Sequence, residues 1–382
     1  MSTESATGYS RKNPFPATLK KNELLTKGGS EKETRHYEIS LAGSGLAYEV
    51  GDSLGIFPTN DPALVDAILE ALELTGQEPV LNPAAETVPL RQALLSDFVI
   101  AEPSKQLLQA VGERDPSAAI LIDLIGPEQK TSLDAYLWGR DVLDILAENP
   151  AAKFTAEEFV KTLRKLQPRL YSIASSLKAF PEEVHLTIAS VRFTSLNRGR
   201  KGVCSTYLAD RVGDTGTVPV FVHTAKHFRV PENLETSMIM VGPGTGVAPF
   251  RAFLQERKAT GATGKNWLFF GEQRSAADFF YREEFEGYLA DGTLARFDTA
   301  FSRDQEYKIY VQHRMLEAAD EIWEWVSSGS YFYVCGDAAR MAKDVDAALV
   351  SIVEKSGGKS PEDAKAYVEA MKKEKRYRKD VY

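Results

Sequence analysis

The chain has 382 residues, 43% of them apolar and 26% charged, which is the composition of a folded protein of two or three domains and excludes a disordered or fibrous chain. Its 46 Lys and Arg against 54 Asp and Glu leave a net charge of −8, an argument against sequence-independent nucleic-acid binding and against a polybasic membrane anchor. The two cysteines, Cys204 and Cys335, are too few and too far apart for a disulfide framework, a CxxC pair or an iron–sulfur cluster. His36, His185, His223, His227 and His313 show no HExxH or comparable spacing, so no metal is expected. No stretch approaches the roughly 18 apolar residues of a membrane helix, and Met1–Lys12 lacks an apolar signal core. A cytoplasmic chain without nucleic-acid or membrane partners is expected.

Residues 1–12 read as a loose polar tail. Thr34–Leu41 alternates as a strand, and Tyr48–Pro58 reads as strand, Gly-bearing turn and strand. From Asp61 to about Gln167 the apolar spacing becomes helical. Asn60-Asp61 caps a helix from Pro62, 132–136 and 141–146 continue the pattern, and Thr155 with Glu158 forms a capping box. Strand signals return at Arg169–Ile173, Val184–Val191 and Thr217–Phe221. Pro231–Thr236 reads as a linker. Beyond it, strands at Ser237–Val241, Asn266–Phe270, Leu294–Ala300 and Tyr331–Val334 alternate with helical stretches such as Pro249–Arg257 and Ala338–Val353, which predicts a parallel sheet covered by helices.

Six segments carry chemistry, each with a plain structural alternative. In Val241-Gly-Pro-Gly-Thr-Gly246 an apolar strand runs into a glycine turn and then a helix, so Gly244 and Thr245 suit a phosphate, or the turn is simply tight. Ser302, Arg303, Lys308 and Tyr310 follow a strand and suit a phosphomonoester such as a 2′-phosphate, or form a solvated charged loop. In Arg169-Leu170-Tyr171-Ser172 the first and third side chains share a face, where Arg169 suits a pyrophosphate and Tyr171 a flat ring, or the segment is an ordinary strand. Gly202-Val203-Cys204-Ser205 opens a helix and suits phosphate or serves as a cap. Cys335 ends a strand, facing a ligand or packing the core. Six basic residues lie between Lys372 and Lys379, a frayed tail or the lead-in to Tyr382.

The order of these motifs, RLYS at 169–172, GVCS at 202–205, GPGTGVAPFR from Gly242, FFG, SRD, YVCGD and a closing aromatic, resembles the ferredoxin–NADP reductase superfamily. Within it the chain looks like the FAD/NADPH half of the diflavin reductases, the sulfite reductase flavoproteins above all, through RLYSIASS, GKNWLFFG, SRDQ, YVQ and RYxxDVY. The resemblance implies an antiparallel FAD-binding β-barrel (13–58 and 166–232) interrupted by a helical insert (59–165), followed by a Rossmann-like parallel α/β NADP-binding domain (233–382). It implies FAD and NADPH as cofactors. Arg169, Leu170, Tyr171 and Ser172, then Thr187, Ile188, Ala189 and Phe193, would line the FAD site, with Gly202, Val203, Cys204 and Ser205 around its pyrophosphate. Gly244, Thr245, Ser302, Arg303, Lys308, Tyr310, Gln312 and Asp344 would hold the NADPH. Ser172, Cys335 and Asp380 would position the nicotinamide, and Tyr382 would cover the flavin.

The implied activity is hydride transfer from NADPH to FAD. No flavodoxin-like FMN domain is seen in the chain, so the electrons are expected to pass to a separate acceptor. A flavodoxin-like FMN protein, a ferredoxin or the sulfite reductase hemoprotein would serve, most naturally in sulfite reduction. A flavodoxin or ferredoxin–NADP reductase and a non-catalytic nucleotide-binding subunit stand as the alternatives.

Overall fold

A computed structural model describes residues 8–213 and 215–382; residues 1–7 of the expected tail lie outside the described part. The chain divides into two compact units: Met1–Gly55, Leu170–Ala189 and Asp214–Tyr382 form the first, and Ile56–Arg169 with Ser190–Gly213 the second. In chain order the strands begin with β1 (Phe15–Leu24), β2 (Thr34–Ser40), β3 (Ser53–Ile56) and the short pair β4 (Pro79–Leu81) and β5 (Thr87–Pro89). There follow β6 (Arg169–Ser172), β7 (Glu183–Ala189), β8 (Arg192–Ser195), β9 (Arg198–Lys201) and β10 (Thr217–His223). The last five are β11 (Met238–Val241), β12 (Asn266–Glu272), β13 (Arg296–Phe301), β14 (Tyr331–Gly336) and β15 (Tyr377–Val381).

The first unit holds two sheets. One has the order β6-β3-β10-β1-β2-β7, with antiparallel pairing of β1 to β10, β1 to β2 and β2 to β7. Alternation puts Ala17, Leu19, Tyr37 and Ile39 into the core. The outer strands meet at a single bridge, Ile173 to Leu186, beside a 2.8 Å bond from the Ala174 N–H to the His185 carbonyl. The sheet therefore curls round like a barrel, but it is not a barrel closed by a continuous ladder. The strand expected at Tyr48–Val50 is absent. The Asp52 carboxylate accepts the Glu49 N–H at 2.9 Å, and the Asp52 N–H donates to the Glu49 carbonyl, so this stretch is a turn into β3.

The second sheet has the order β13-β12-β11-β14-β15, every pair parallel. The apolar run Met238–Val241 is buried throughout because helices cover both faces of a parallel sheet. From β11 the chain builds outward through β12 and β13, then returns to place β14 on the other side of β11. The order reverses between β11 and β14, and open α/β sheets bind ligands in the crevice at such a switch point. The basic stretch before Tyr382 is not a frayed tail: it extends the sheet as β15, from Phe332 opposite Tyr377 to Gly336 opposite Val381.

The second unit is mostly helical. Asp61 caps Pro62–Leu72 and Thr155–Glu158 forms a capping box, as their sequences predict, and Asp141–Asp144 forms a further capping box that was not singled out from sequence. These helices surround a core that includes Val65, Ile68, Leu107, Ile145 and Phe159. The β8–β9 hairpin and a helical stretch over Val203–Arg211 complete the unit. Among the described residues no helix is long and apolar enough to cross a membrane.

Candidate functional site

At the switch point the turn Gly242–Gly246 follows β11 and lies against the end of β14. A Cβ on Gly246 would sit 2.1 Å from the Cys335 carbonyl oxygen, so only glycine lets these two loops touch. Cys335 is fully buried and stands opposite Asp380 in the β14–β15 register. Burial pushes its thiol well up, and the Asp380 charge pushes it further; a hydrogen bond with Ser172 works the other way. Burial and the Asp380 charge thus favour the neutral form of the Cys335 thiol.

Strand β6 ends at Ser172, whose hydroxyl is 2.8 Å from Oδ2 of Asp380. Tyr382 remains 64% exposed, yet its backbone is fixed: its N–H donates to Gly336 and its carbonyl accepts from Ala338, both at 3.1 Å. Its phenol oxygen lies 2.9 Å from Oγ1 of Thr245. Ser172, Cys335, Asp380, Tyr382, Thr245 and the glycine turn thus converge at one sheet edge.

The same edge carries the charged loop after β13. Ser302 and Arg303 donate backbone N–H groups to the Glu272 and Gln273 carbonyls at 2.9 and 2.8 Å, which pins the loop to β12. Arg303, Lys308 and Tyr310 are exposed, and Gln312 reaches Asp344 at 3.4 Å. Arg303 pairs with Glu31, which also lies 3.3 Å from Arg274. Four inter-strand steps separate β13 from β15, roughly 19 Å along the edge. The cationic loop and the Ser172–Asp380 pair therefore sit at opposite ends of one crevice.

The second unit contains a cleft of about 940 Å³, at the upper end of the range of small-molecule sites. Arg169, Phe193, Gly202 and Val203 line it, together with Trp138 and Arg211. Asp141 and Asp144 hold Arg198 and Arg200 of the hairpin, with Arg200 to Asp141 at 2.6 Å and Arg198 to Asp144 at 2.6 Å. Burial pushes the Asp141 carboxyl up, whereas for Asp144 the effect of burial is outweighed by its hydrogen bonds, chiefly to Arg200, and its carboxyl stays below the ordinary range. Three features fit an anionic, partly aromatic ligand. The Arg211 Nε is buried without a partner. A Cβ on Gly202 would meet Val191 Cβ at 2.7 Å and Ser205 Oγ at 2.8 Å, so the backbone stays open to a phosphate. The exposed rings of Trp138 and Phe193, 6.0 Å apart, offer stacking surface.

Other expected residues have their side chains committed elsewhere. The Thr187 hydroxyl is 2.7 Å from the buried Tyr281 hydroxyl, Ile188 lies in the core, and Cys204 is buried. Ser205 Oγ accepts the Val191 N–H at 3.1 Å. Ala189 and Tyr171 are half-buried, and Leu170 is exposed. Trp138, Arg211, Arg274 and Glu31 were not singled out from sequence. A tryptophan before Gly139 in a helical stretch was the one available signal; the charged three look like ordinary surface residues until the fold gathers them.

Comparison with known proteins agrees with this geometry. A family model described as FAD binding domain matches residues 8–207, and one described as Oxidoreductase NAD-binding domain matches 240–347. The sulfite reductase [NADPH] flavoprotein alpha-component of Bacillus subtilis (strain 168) is 49% identical over 375 residues, covering 98% of this chain and 62% of that protein. The proteins of the same description from Aliivibrio fischeri and Vibrio parahaemolyticus are 44% and 45% identical, covering 98% of this chain and 61% and 59% of theirs. The chain therefore spans about three fifths of the length of these curated relatives. Because the first match takes in more than half of its residues, the chain belongs to the FAD binding domain family, with an oxidoreductase NAD-binding domain following in the same polypeptide.

Proposed function

We propose that the protein is an NADPH-dependent flavoprotein reductase that takes hydride from NADPH onto FAD and passes the electrons to a separate acceptor protein, acting in sulfite reduction in the cytoplasm. The observation that carries this reading is the Ser172–Asp380–Cys335 group at the switch point, on the same edge as the Ser302–Gln312 loop. Bound FAD supplies the hydride acceptor and bound NADPH the donor.

The chain's residues bind and orient. Ser302, Arg303, Lys308 and Tyr310 take the 2′-phosphate end, with Gln312 and Asp344 beside them. Gly244 and Thr245 border the nucleotide, and Ser172, held by Asp380, orients the reacting rings. Arg169 and the backbone of Gly202–Ser205 hold the pyrophosphate of FAD, with the Phe193 ring beside it. Tyr382, tethered to Thr245, is the movable cover. In domain terms, 13–58 and 166–232 bind FAD, 59–165 connect, and 233–382 bind NADPH. The acceptor is a flavodoxin-like FMN protein, a ferredoxin or the sulfite reductase hemoprotein, and the names of the relatives favour the last.

The test is anaerobic stopped-flow. Fast bleaching of the flavin by NADPH and slow bleaching by NADH are expected, followed by reoxidation when one of the three acceptors is added. A protein that takes up no flavin, or whose flavin NADPH does not bleach, would refute the reading.

A further inference from the structure

The connection between β1 and β2 is fastened onto the nucleotide side of the parallel sheet. The Lys27 N–H donates to the Ala277 carbonyl at 2.8 Å, Ser30 Oγ to Asp278 at 2.5 Å, and Lys32 Nζ to the buried Glu272 at 2.7 Å. These anchors set Glu31 beside Arg303 and Arg274. Its carboxylate pairs with Arg303 and lies 3.3 Å from Arg274. Arg303 is the guanidinium assigned above to the 2′-phosphate, and Glu31 holds its Nη1, one of the donors a phosphate would use.

We propose that Glu31 is a resident anion of the 2′-phosphate subsite: a specificity-determining carboxylate that NADPH must displace and NADH need not. The inference rests on the NADPH reading above. Glu31 neutralises two arginines from different loops, the exposed Arg303 after β13 and the half-buried Arg274 after β12. The Arg303 hydrogen bond holds its carboxyl below the usual range, so it is ionised at neutral pH. An arriving phosphomonoester carries more charge than a carboxylate and takes Arg303, and Glu31 is then left beside a like charge and turns outward. Its effect is to weaken nucleotides that carry the 2′-phosphate, and to speed their release, without acting on those that lack it.

The test is calorimetric titration of the intact protein with adenosine 2′,5′-bisphosphate and with AMP. Glu31→Gln is expected to tighten the bisphosphate about threefold to fivefold, the range of a solvent-exposed ion pair, and to leave AMP unchanged. Glu31→Lys should tighten it further, and added salt should shrink both gains. Bisphosphate affinity that is unchanged or weaker in both variants overturns the role of Glu31. Equal affinity of the unaltered protein for the two ligands, with Arg303→Ala making no difference, overturns the placement of the 2′-phosphate and this inference with it.

Discussion

Asp380 stands directly across the β14–β15 pair from Cys335, and the Ser172 hydroxyl closes onto its carboxylate at 2.8 Å. The three residues come from separate stretches of sequence and meet only because β15 adds to the sheet in parallel. A buried thiol, a hydroxyl and a partly buried carboxylate thus meet at one point of the sheet edge. The carboxylate is held by the serine, so the serine's orientation is held in return.

Ser172→Ala should therefore slow flavin reduction by NADPH without much change in NADPH binding. Loss of one orienting group costs on the order of tenfold to a hundredfold when ring alignment is at stake. Stopped-flow rates at saturating NADPH give the first quantity and their concentration dependence the second. An equal loss in affinity would show that Ser172 binds the nucleotide and does not orient it.

Tyr382 is tied down at its backbone but exposed at its ring, with Thr245 the hydrogen-bond partner of its phenol. That combination describes a cover able to swing on a fixed root. Removing the residue should raise the rate with NADH, whose binding gains nothing from the 2′-phosphate subsite, more than the rate with NADPH. The ratio of kcat/KM for the two nucleotides measures this. A ratio the same as that of the unaltered chain would remove the lid role.

The local parts of this fold were legible and the long-range parts were not. The caps at Asp61 and Thr155 and the strand–glycine–helix turn at Gly242–Gly246 are dictated by neighbours within a few residues. Tyr48–Val50 alternates like a strand, but Asp52 also accepts from the Ala225 N–H and pairs with Arg229, contacts no window of sequence contains. The run Lys372–Lys379 likewise looked like a solvated tail because its sheet partner, β14, lies some 40 residues upstream in sequence. Charged site residues are the hardest class. Arg303 was visible through its motif, whereas Glu31 and Arg211 take their roles from what the fold sets beside them.

A buried histidine pair makes the first unit acid-sensitive. His36 and His185 are almost wholly buried, their rings 5.1 Å apart. Around them stand Arg251 at 3.2 Å from His185, Glu183 and Glu38 at 3.3 Å from His185 and His36, Tyr281 at 2.9 Å from His36, and Lys20 and Lys21 on the two glutamates. Burial first, then the Arg251 charge, drives His36 down to about 2 and lowers His185. Both histidines are thus neutral when folded and take up protons on unfolding below about 6.5, the ordinary histidine value. Stability is at its full value above that pH and falls as pH drops toward the folded value, by up to about 1.4 kcal/mol per pH unit for each histidine. Urea midpoints between roughly pH 6.5 and 5 should drop, and His36→Gln should reduce the slope by about half. An unaltered slope in that variant would assign the acid sensitivity to other groups.

In the second unit the four-charge cluster offers a sharper contrast. Arg198 and Arg200 bind the same two carboxylates, but Arg200 is 7% exposed and Arg198 34%. Arg200 Nε also donates to Ser195 Oγ at 2.7 Å, and that hydroxyl donates to the Gly139 carbonyl at 2.5 Å, tying the hairpin to the loop that bears Trp138. Removing one partner of a buried pair strands the other charges and costs about 3–5 kcal/mol, whereas an exposed pair is worth about 1 kcal/mol or less. Arg200→Ala should therefore lower the Tm by roughly 10 °C, and Arg198→Ala by only a few degrees. The hairpin also carries Phe193 into the wall of the cleft, so Arg200→Ala should emerge from purification poor in flavin while Arg198→Ala retains it. Scanning calorimetry and the flavin-to-protein absorbance ratio test both halves. Equal effects of the two substitutions would show that burial does not govern this cluster.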